Sequence, residues 1–408
     1  MITVVLEKDT INLEQSLLNE IEGIDLKGIV EVEGVAVLND EYRVLPMVSD
    51  FLDSEFQSRQ ISPKTASLYG KNISYCLDYL LGKDEFKGFN LDESLLTVSR
   101  ATLLDYFIEL RNSGLDSATI RNRDASVKSF VEKHLCSEYN PLRSDNPYHS
   151  GLISASVKGK IKVGCELAEV KSLMLSTDLE RERILIQLIF DTGIRRSEVG
   201  RITLADIRKA TEFNKSRLYT NDKNIYISEM GYYPLKISGS KGRNREIKER
   251  VTLISASTLH RINQYHSSPL YKKNQRKYKT PEETPAFFNS WGKPISEYNV
   301  DSILAKTSER AFFRGEILKK VSPHNLRHGY AYEILKSPDF GDDYLDKLVH
   351  LQKTLGHSDL STTQTYTKIP IHLFNLIVDK NGAVLTKFQK MEKLTRETKL
   401  SIKIGDKK

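Results

Sequence analysis

Cysteine is scarce in this chain: three in 408 residues, Cys76, Cys136 and Cys165, an odd number with no C-x-x-C spacing. That excludes a disulfide framework and fits buried or inert thiols in a reducing compartment. Long hydrophobic runs are missing too. The opening apolar run is cut at Glu7, and no stretch approaches the roughly 18 apolar residues of a membrane span, so a cytoplasmic protein with no membrane partner is expected. No sign of charge dominates: 61 Lys and Arg stand against 54 Asp and Glu, a net of +7, which permits a polyanionic partner without requiring one. Internal repeats and low-complexity segments are absent. With 39% hydrophobic and 28% charged residues the composition is that of a globular chain. Its length exceeds one core, so two domains and an appendage are expected.

What is present is unevenly distributed. Lys241 to Arg250 and Lys272 to Lys279 are basic runs, and from Lys380 to Lys408 nine Lys or Arg face three acids. A single basic run most often marks a solvated surface. Residues 1–43 combine a β-like run (Ile2 to Leu6), a helical stretch (Leu13 to Ile21) and a valine-rich segment (Val30 to Leu38), an amino-terminal extension of unknown role. From Leu45 the apolar residues Val48, Phe51, Leu52 and Phe56 recur at helical spacing. Ser62-Pro63-Lys64-Thr65 opens a second helix, a third runs around Leu103 to Leu110 and a fourth from Ser117 to Leu135. Residues 44–139 therefore read as a four-helix domain. Helix amino ends favour anions, which makes Lys64, Thr65, Arg121 and Arg123 candidate phosphate contacts; ordinary capping and solvated charge is the alternative. Residues 140–164, with Pro141, Pro147, Gly151 and Gly159, read as a linker. A second domain follows at 165–382. Within it a helix ends at Thr192-Gly193 and another starts near Ser197, leaving Arg195 at the junction. Three β-like runs come next, Ile225 to Ile227, Leu235 to Ile237 and Val251 to Leu253, with Gly239 and Gly242 as turn residues. After Ser296 the pattern is helical to about Lys380, and 383–408 reads as a basic tail.

One ordered set of residues carries chemistry. Thr192-Gly193-Ile194-Arg195, then His324-Asn325-Leu326-Arg327, then Leu355-Gly356-His357, then Tyr366 supply two arginines, two histidines and a tyrosine. Arginine offers a planar fork of donors matched to phosphate oxygens. Tyrosine becomes a covalent nucleophile when its phenol is helped to lose its proton, and histidine can hold or move that proton. His324 and His328, four apart, would also suit zinc, but no third ligand or adjacent acid accompanies them, so no metal is expected. Taken singly, each residue has an ordinary structural explanation, from helix ends to packed histidines and half-buried tyrosines. Their joint occurrence in this order does not.

This set resembles the tyrosine recombinase (phage integrase) family of site-specific DNA recombinases over about 165–380, with the preceding helical region similar to that family's core-binding domain. The resemblance implies a mainly α fold with a small antiparallel β-sheet in the catalytic domain, arranged as a two-domain DNA clamp. It implies Arg195, His324, Arg327 and His357 around the phosphate, Tyr366 as nucleophile and Glu198 in support. A hairpin lysine is also expected. Lys241 fits best, with Lys248 and Lys236 as alternatives, because the stretch up to Val251 is longer than the family's pattern. Ser337 to Asp343 reads as an inserted loop. The implied activity is strand cleavage and rejoining through a 3′-phosphotyrosyl intermediate, without metal, cofactor or ATP. Its partner would be double-stranded DNA carrying specific sites, bound by a homotetramer, with Ile371 to Ile377 and the basic tail as a candidate exchanged element; accessory DNA-bending proteins are left open. Two other readings stay on the table, a type IB topoisomerase-like enzyme and a catalytically silent DNA-binding regulator.

Overall fold

The computed structural model describes residues 1–12, 29–89, 92–156, 164–213, 231–241, 247–341, 343–356 and 385–400. It is mostly helical and divides into two compact units, Met1–Gly159 and a second that begins at Lys160.

The first unit opens with an antiparallel pair, β1 (Ile2–Asn12) and β2 (Ile29–Leu38), registered from Ile2 opposite Leu38 to Asn12 opposite Ile29. Four longer helices follow, α1 (Pro46–Gln57), α2 (Pro63–Leu81), α3 (Arg100–Asn112) and α4 (Ser117–Phe130), with a single helical turn at Ser94–Thr97 before α3 and a π turn through Leu135 prolonging α4. Local chemistry sets their starts. Ser62, Ser99 and Asp116 each accept a backbone N–H of the first turn, which satisfies donors that a helix otherwise leaves unpaired. The apolar spacing of Val48, Phe51, Leu52 and Phe56 puts all four in the core. The strand pair is part of this unit. Val35 and Val37 are buried, and their amides donate to Asp53 Oδ1 and Ser49 Oγ of α1, both at 2.9 Å. Residues expected from composition to be a linker also fold here. Tyr148 is buried, Arg100 Nη1 donates to Pro147 O at 2.7 Å, and Asp124 Oδ2 accepts Ser154 N–H and Oγ at 2.7 Å each.

The second unit contains α5 (Leu167–Leu175), α6 (Glu180–Thr192), the one-turn α7 (Arg196–Val199) and α8 (Leu204–Phe213). The pair β3 (Tyr232–Lys241) and β4 (Ile247–Ser255) is antiparallel. It is followed by α9 (Ala256–His266), α10 (Pro269–Gln275), α11 (Glu297–Phe313), α12 (Pro323–Lys336), α13 (Tyr344–Leu355) and α14 (Lys387–Glu397). The central helix is α6: every residue from Arg183 to Thr192 is buried, α12 packs against it, and β4 lies against both α6 and α13. Two sequence expectations are corrected here. Gly239, expected in a turn, sits inside β3 at an irregularity of register between Ile237 and Ser240, with φ +113° and its carbonyl accepting Arg201 Nη1 at 2.7 Å. Positive φ is what a glycine bulge supplies. Residues 387–397, expected in a basic tail, form α14, with Met391 and Leu394 in the core. The β-like run at 225–227 lies outside the described residues, as does the helical stretch at 13–21.

Candidate active site

Two left-handed turns frame the site. Gly193 ends α6 at φ +64° and Gly356 ends α13 at φ +63°, so both use a conformation that costs an L side chain free energy. Space demands glycine as well. A Cβ on Gly193 would fall 2.3 Å from Tyr330 Cδ1, and one on Gly356 would fall 2.5 Å from Arg250 Cδ.

Arg195 follows the first turn directly and caps α7 in extended conformation. Glu198, one turn on, folds back onto it: Oε2 accepts the Arg195 N–H at 2.7 Å and Oε1 accepts Arg195 Nη1 at 3.1 Å. The Glu198 side chain is fully buried, whereas that of Arg195 remains 37% exposed, which leaves its guanidinium able to meet a ligand. Burial alone would push the Glu198 carboxyl upward. The guanidinium of Arg250, helped by the Arg195 N–H and charge, instead holds it below the ordinary carboxylate range.

Helix α12 brings the second group. Ser322 caps it with Asn325 in a reciprocal box, and Pro323 occupies the first helical position. His324 is thereby exposed at the helix start, its ring edge-on to His328 with centroids 4.2 Å apart. Arg327 is 4% exposed. One Nη donates to Gly193 O and the other to Leu355 O at 2.8 Å, so a single guanidinium ties together the two turns. Among the described residues no third His, Cys, Asp or Glu joins His324 and His328 in a metal-binding group.

Arg250 was not singled out from sequence. It lies on β4, buried, with Nη2 on Glu198 Oε2 at 2.7 Å and Nη1 on Thr354 O. The signal was there in the strand's period of two, since Arg250, Thr252 and Ile254 all point inward while Val251 is exposed. Thr252 Oγ1 donates to Thr192 O at 2.8 Å, which fixes the strand to the end of α6. Lys241 is at the end of β3, paired in register with Ile247; its side chain lies outside what the structure describes, as does that of Lys248. Lys236 is on the outer face, paired with Glu249 at 2.7 Å. His357 and Tyr366 lie outside the described residues; Gly356 immediately precedes His357 in the chain.

The candidate phosphate contacts of the first unit divide. Lys64 is exposed. Thr65 is spent on the Ser62 cap, with the hydroxyls 2.9 Å apart. Arg121 Nη1 donates to Ser154 O at 2.5 Å, and the Arg123 guanidinium stands over the Tyr75 ring, 4.0 Å from its centroid.

Comparison with known proteins matches residues 166–370 to the Phage integrase family. Among curated relatives, tyrosine recombinase XerD of Oceanobacillus iheyensis is 25% identical over 330 residues, covering 79% of this chain and 93% of its own. Tyrosine recombinase XerC of Listeria innocua is 24% identical over 330 residues, covering 78% of this chain and 91% of its own. Three solved structures show the same fold. XerH recombinase bound to palindromic difH substrate in a post-cleavage complex has TM-score 0.53 at 18% identity, covering 82% of this chain and 84% of its own. The Tn1549 transposon integrase with transposon right end DNA has TM-score 0.53 at 15% identity, covering 82% and 99%. A lambda integrase dimer bound to a COC' core site has TM-score 0.51 at 13% identity, covering 82% and 96%.

Proposed function

The chain belongs to the phage integrase family, a site-specific tyrosine recombinase, and from that premise we propose that it cleaves and rejoins DNA strands through a 3′-phosphotyrosyl intermediate, without metal or ATP. The observation that carries this reading is the turn at Gly193, where Glu198 holds an exposed arginine by backbone and side chain while Arg327 grips the preceding carbonyl.

Cleavage of a phosphodiester needs a nucleophile in line with the leaving oxygen and preorganised donors around the non-bridging oxygens. The Tyr366 oxygen attacks phosphorus and forms the new P–O bond. The bond to the 5′ oxygen breaks, and that oxygen takes a proton from Lys241. His324 and His357 add hydrogen bonds, and one of the two accepts the single phenolic proton. Arg195 and Arg327 stabilise the charge on the oxygens, so the cationic work is done by side chains. The phosphotyrosyl ester conserves the energy of the broken bond, and attack by a second 5′ hydroxyl reseals the strand. Residues 44–139 would act as the core-binding domain and 165–382 as the catalytic domain, closing on duplex DNA as a homotetramer on two sites, in the cytoplasm.

The test is a suicide substrate, a nicked duplex from the ends of the protein's own genetic element, with covalent adducts read on a denaturing gel. Wild type should give a 3′-linked adduct, and Tyr366→Phe should give none while binding DNA normally. An adduct at wild-type level in that variant would sink the assignment. Replacing Arg195 or Arg327 should slow adduct formation by about 10² to 10³, the cost of losing a preorganised donor.

A further inference from the structure

Arg250 takes no part in the chemistry proposed above, yet beside Arg327 it is a second buried guanidinium that joins the Arg195 turn to the turn before His357. We propose that Arg250 is a positioning residue for strand cleavage, setting these two turns against each other through Glu198 on one side and the end of α13 on the other. The proposal rests on the recombinase reading for what the positioning serves.

Three contacts carry it. Nη2 meets Glu198 Oε2 at 2.7 Å, and that same oxygen receives the Arg195 N–H. Nη1 donates to Thr354 O in the last turn of α13. The stem lies so close to Gly356 that a Cβ there would be 2.5 Å from Cδ and 3.1 Å from Nε. With its side chain 5% exposed, Arg250 acts through its neighbours rather than on DNA. Only a planar fork can point donors at a carboxylate on one element and a carbonyl on another at once; a lysine ammonium on a flexible stem cannot hold both. Stability is a poor reason for such a pair, because a buried ion pair roughly breaks even against a well-packed apolar one. Geometry is the better one: reacting groups displaced by about 1 Å lose on the order of 10² in rate.

The experiment compares full-length wild type, Arg250→Lys, Glu198→Gln and the double variant. Hydrogen exchange reads residues 192–199 and 351–356, alongside single-turnover adduct formation and affinity for the nicked duplex. In Arg250→Lys both segments should exchange faster together, affinity should hold, and adduct formation should fall about 10²-fold. The double variant should be no slower than the slower single, as expected of residues acting as one unit. Glu198→Gln preserves shape and gives the same paired signature if Arg250→Lys fails to fold. Adduct in the wild type with the two segments responding separately, or with rates that multiply in the double variant, would overturn the role of Arg250 alone. No adduct in the wild type with the segments still linked would overturn the recombinase chemistry and leave Arg250 as the link between the turns.

Discussion

Replacing Gly193 by alanine tests whether the turn before Arg195 is locked by its surroundings or only by its own conformation. At φ +64° an L residue costs about 1–2 kcal/mol. The added methyl would also lie 2.3 Å from Tyr330 Cδ1 and 2.7 Å from Cε1. Tyr330 is fully buried and has Lys387 Nζ 5.5 Å from its ring centroid, so the ring has no open side to turn toward. Overpacking of that kind adds about 1–3 kcal/mol, for a total of about 2–5 kcal/mol. Gly315 supplies the control. Its φ is +71°, but nothing lies within 4 Å of a Cβ built there, so Gly315→Ala should cost the conformational part alone. Urea unfolding of the full chain, with the m-value unchanged, reads the difference between the two variants as the steric part. Gly193→Ala should also slow adduct formation beyond what its stability loss explains, since Arg195 moves with the turn. Equal destabilisation of the two variants would refute the argument, because Tyr330 would then yield to the methyl.

Other consequences follow from the same contacts. Lys387 and Asp191 are both buried and paired, and Asp191 Oδ2 also accepts Ser255 N–H and Oγ at 2.9 and 2.6 Å. Lys387→Met should therefore destabilise by about 3–5 kcal/mol, the cost of stranding a buried carboxylate, and adding Asp191→Asn should recover much of the loss. A double variant no more stable than the single would count against the pairing. His266 is half-buried, stacked on the Tyr271 ring with Nε2 2.9 Å from Ala286 O, and desolvation lowers its pKa from 6.5 to about 4; His350 is shifted to about 4 as well. A histidine whose folded pKa is depressed contributes stability above its unfolded value. Stability should then fall as pH drops from 6.5 toward 4, and His266→Phe should flatten part of that slope in a pH series of urea unfolding. An unchanged slope would remove His266 as a source.

Much of the fold was legible because its signals are local. Helix starts at Pro63, the apolar spacing from Val48 to Phe56 and the junction at Arg195 depend on residues within a turn or two of one another. What escaped notice depends on partners far away in the chain. Arg250 stands in a run that looks like solvated charge, and Lys387 in a tail that looks the same, yet Glu198 and Asp191 draw them inside across 52 and 196 positions. Ser337 to Asp343 reads from sequence as an inserted loop. Ser337 Oγ accepts the Lys387 N–H at 2.6 Å, while Asp339 Oδ2 accepts Tyr232 OH at 2.8 Å and Phe388 N–H at 3.2 Å, so the segment anchors the start of α14. A proline- and glycine-bearing stretch without periodicity likewise hid Tyr148, because what buries it is the helical core before it rather than its own neighbours. Composition reports charge and turn propensity; it does not report which partner waits.

The same distinction decides which basic residues can serve DNA. Counterion release depends on cations exposed to the approach of phosphate, so a part-buried side chain held against a buried carbonyl contributes to stability instead. In the first unit Lys64 is exposed, whereas Arg121 is committed to Ser154 O at 2.5 Å, a bond that holds the 141–156 segment beside the Asp124 contacts. Lys64→Ala should then lower the slope of log affinity against log salt by about 1 with little change in urea midpoint. Arg121→Ala should do the reverse: leave the slope nearly unchanged and lose about 1–3 kcal/mol of stability, since it strands a buried carbonyl. Salt titrations of duplex binding beside urea unfolding separate the two. If Arg121→Ala reduced the slope as Lys64→Ala does, its guanidinium would have to leave Ser154 when DNA binds, and the contact seen in the free protein would be one state of two.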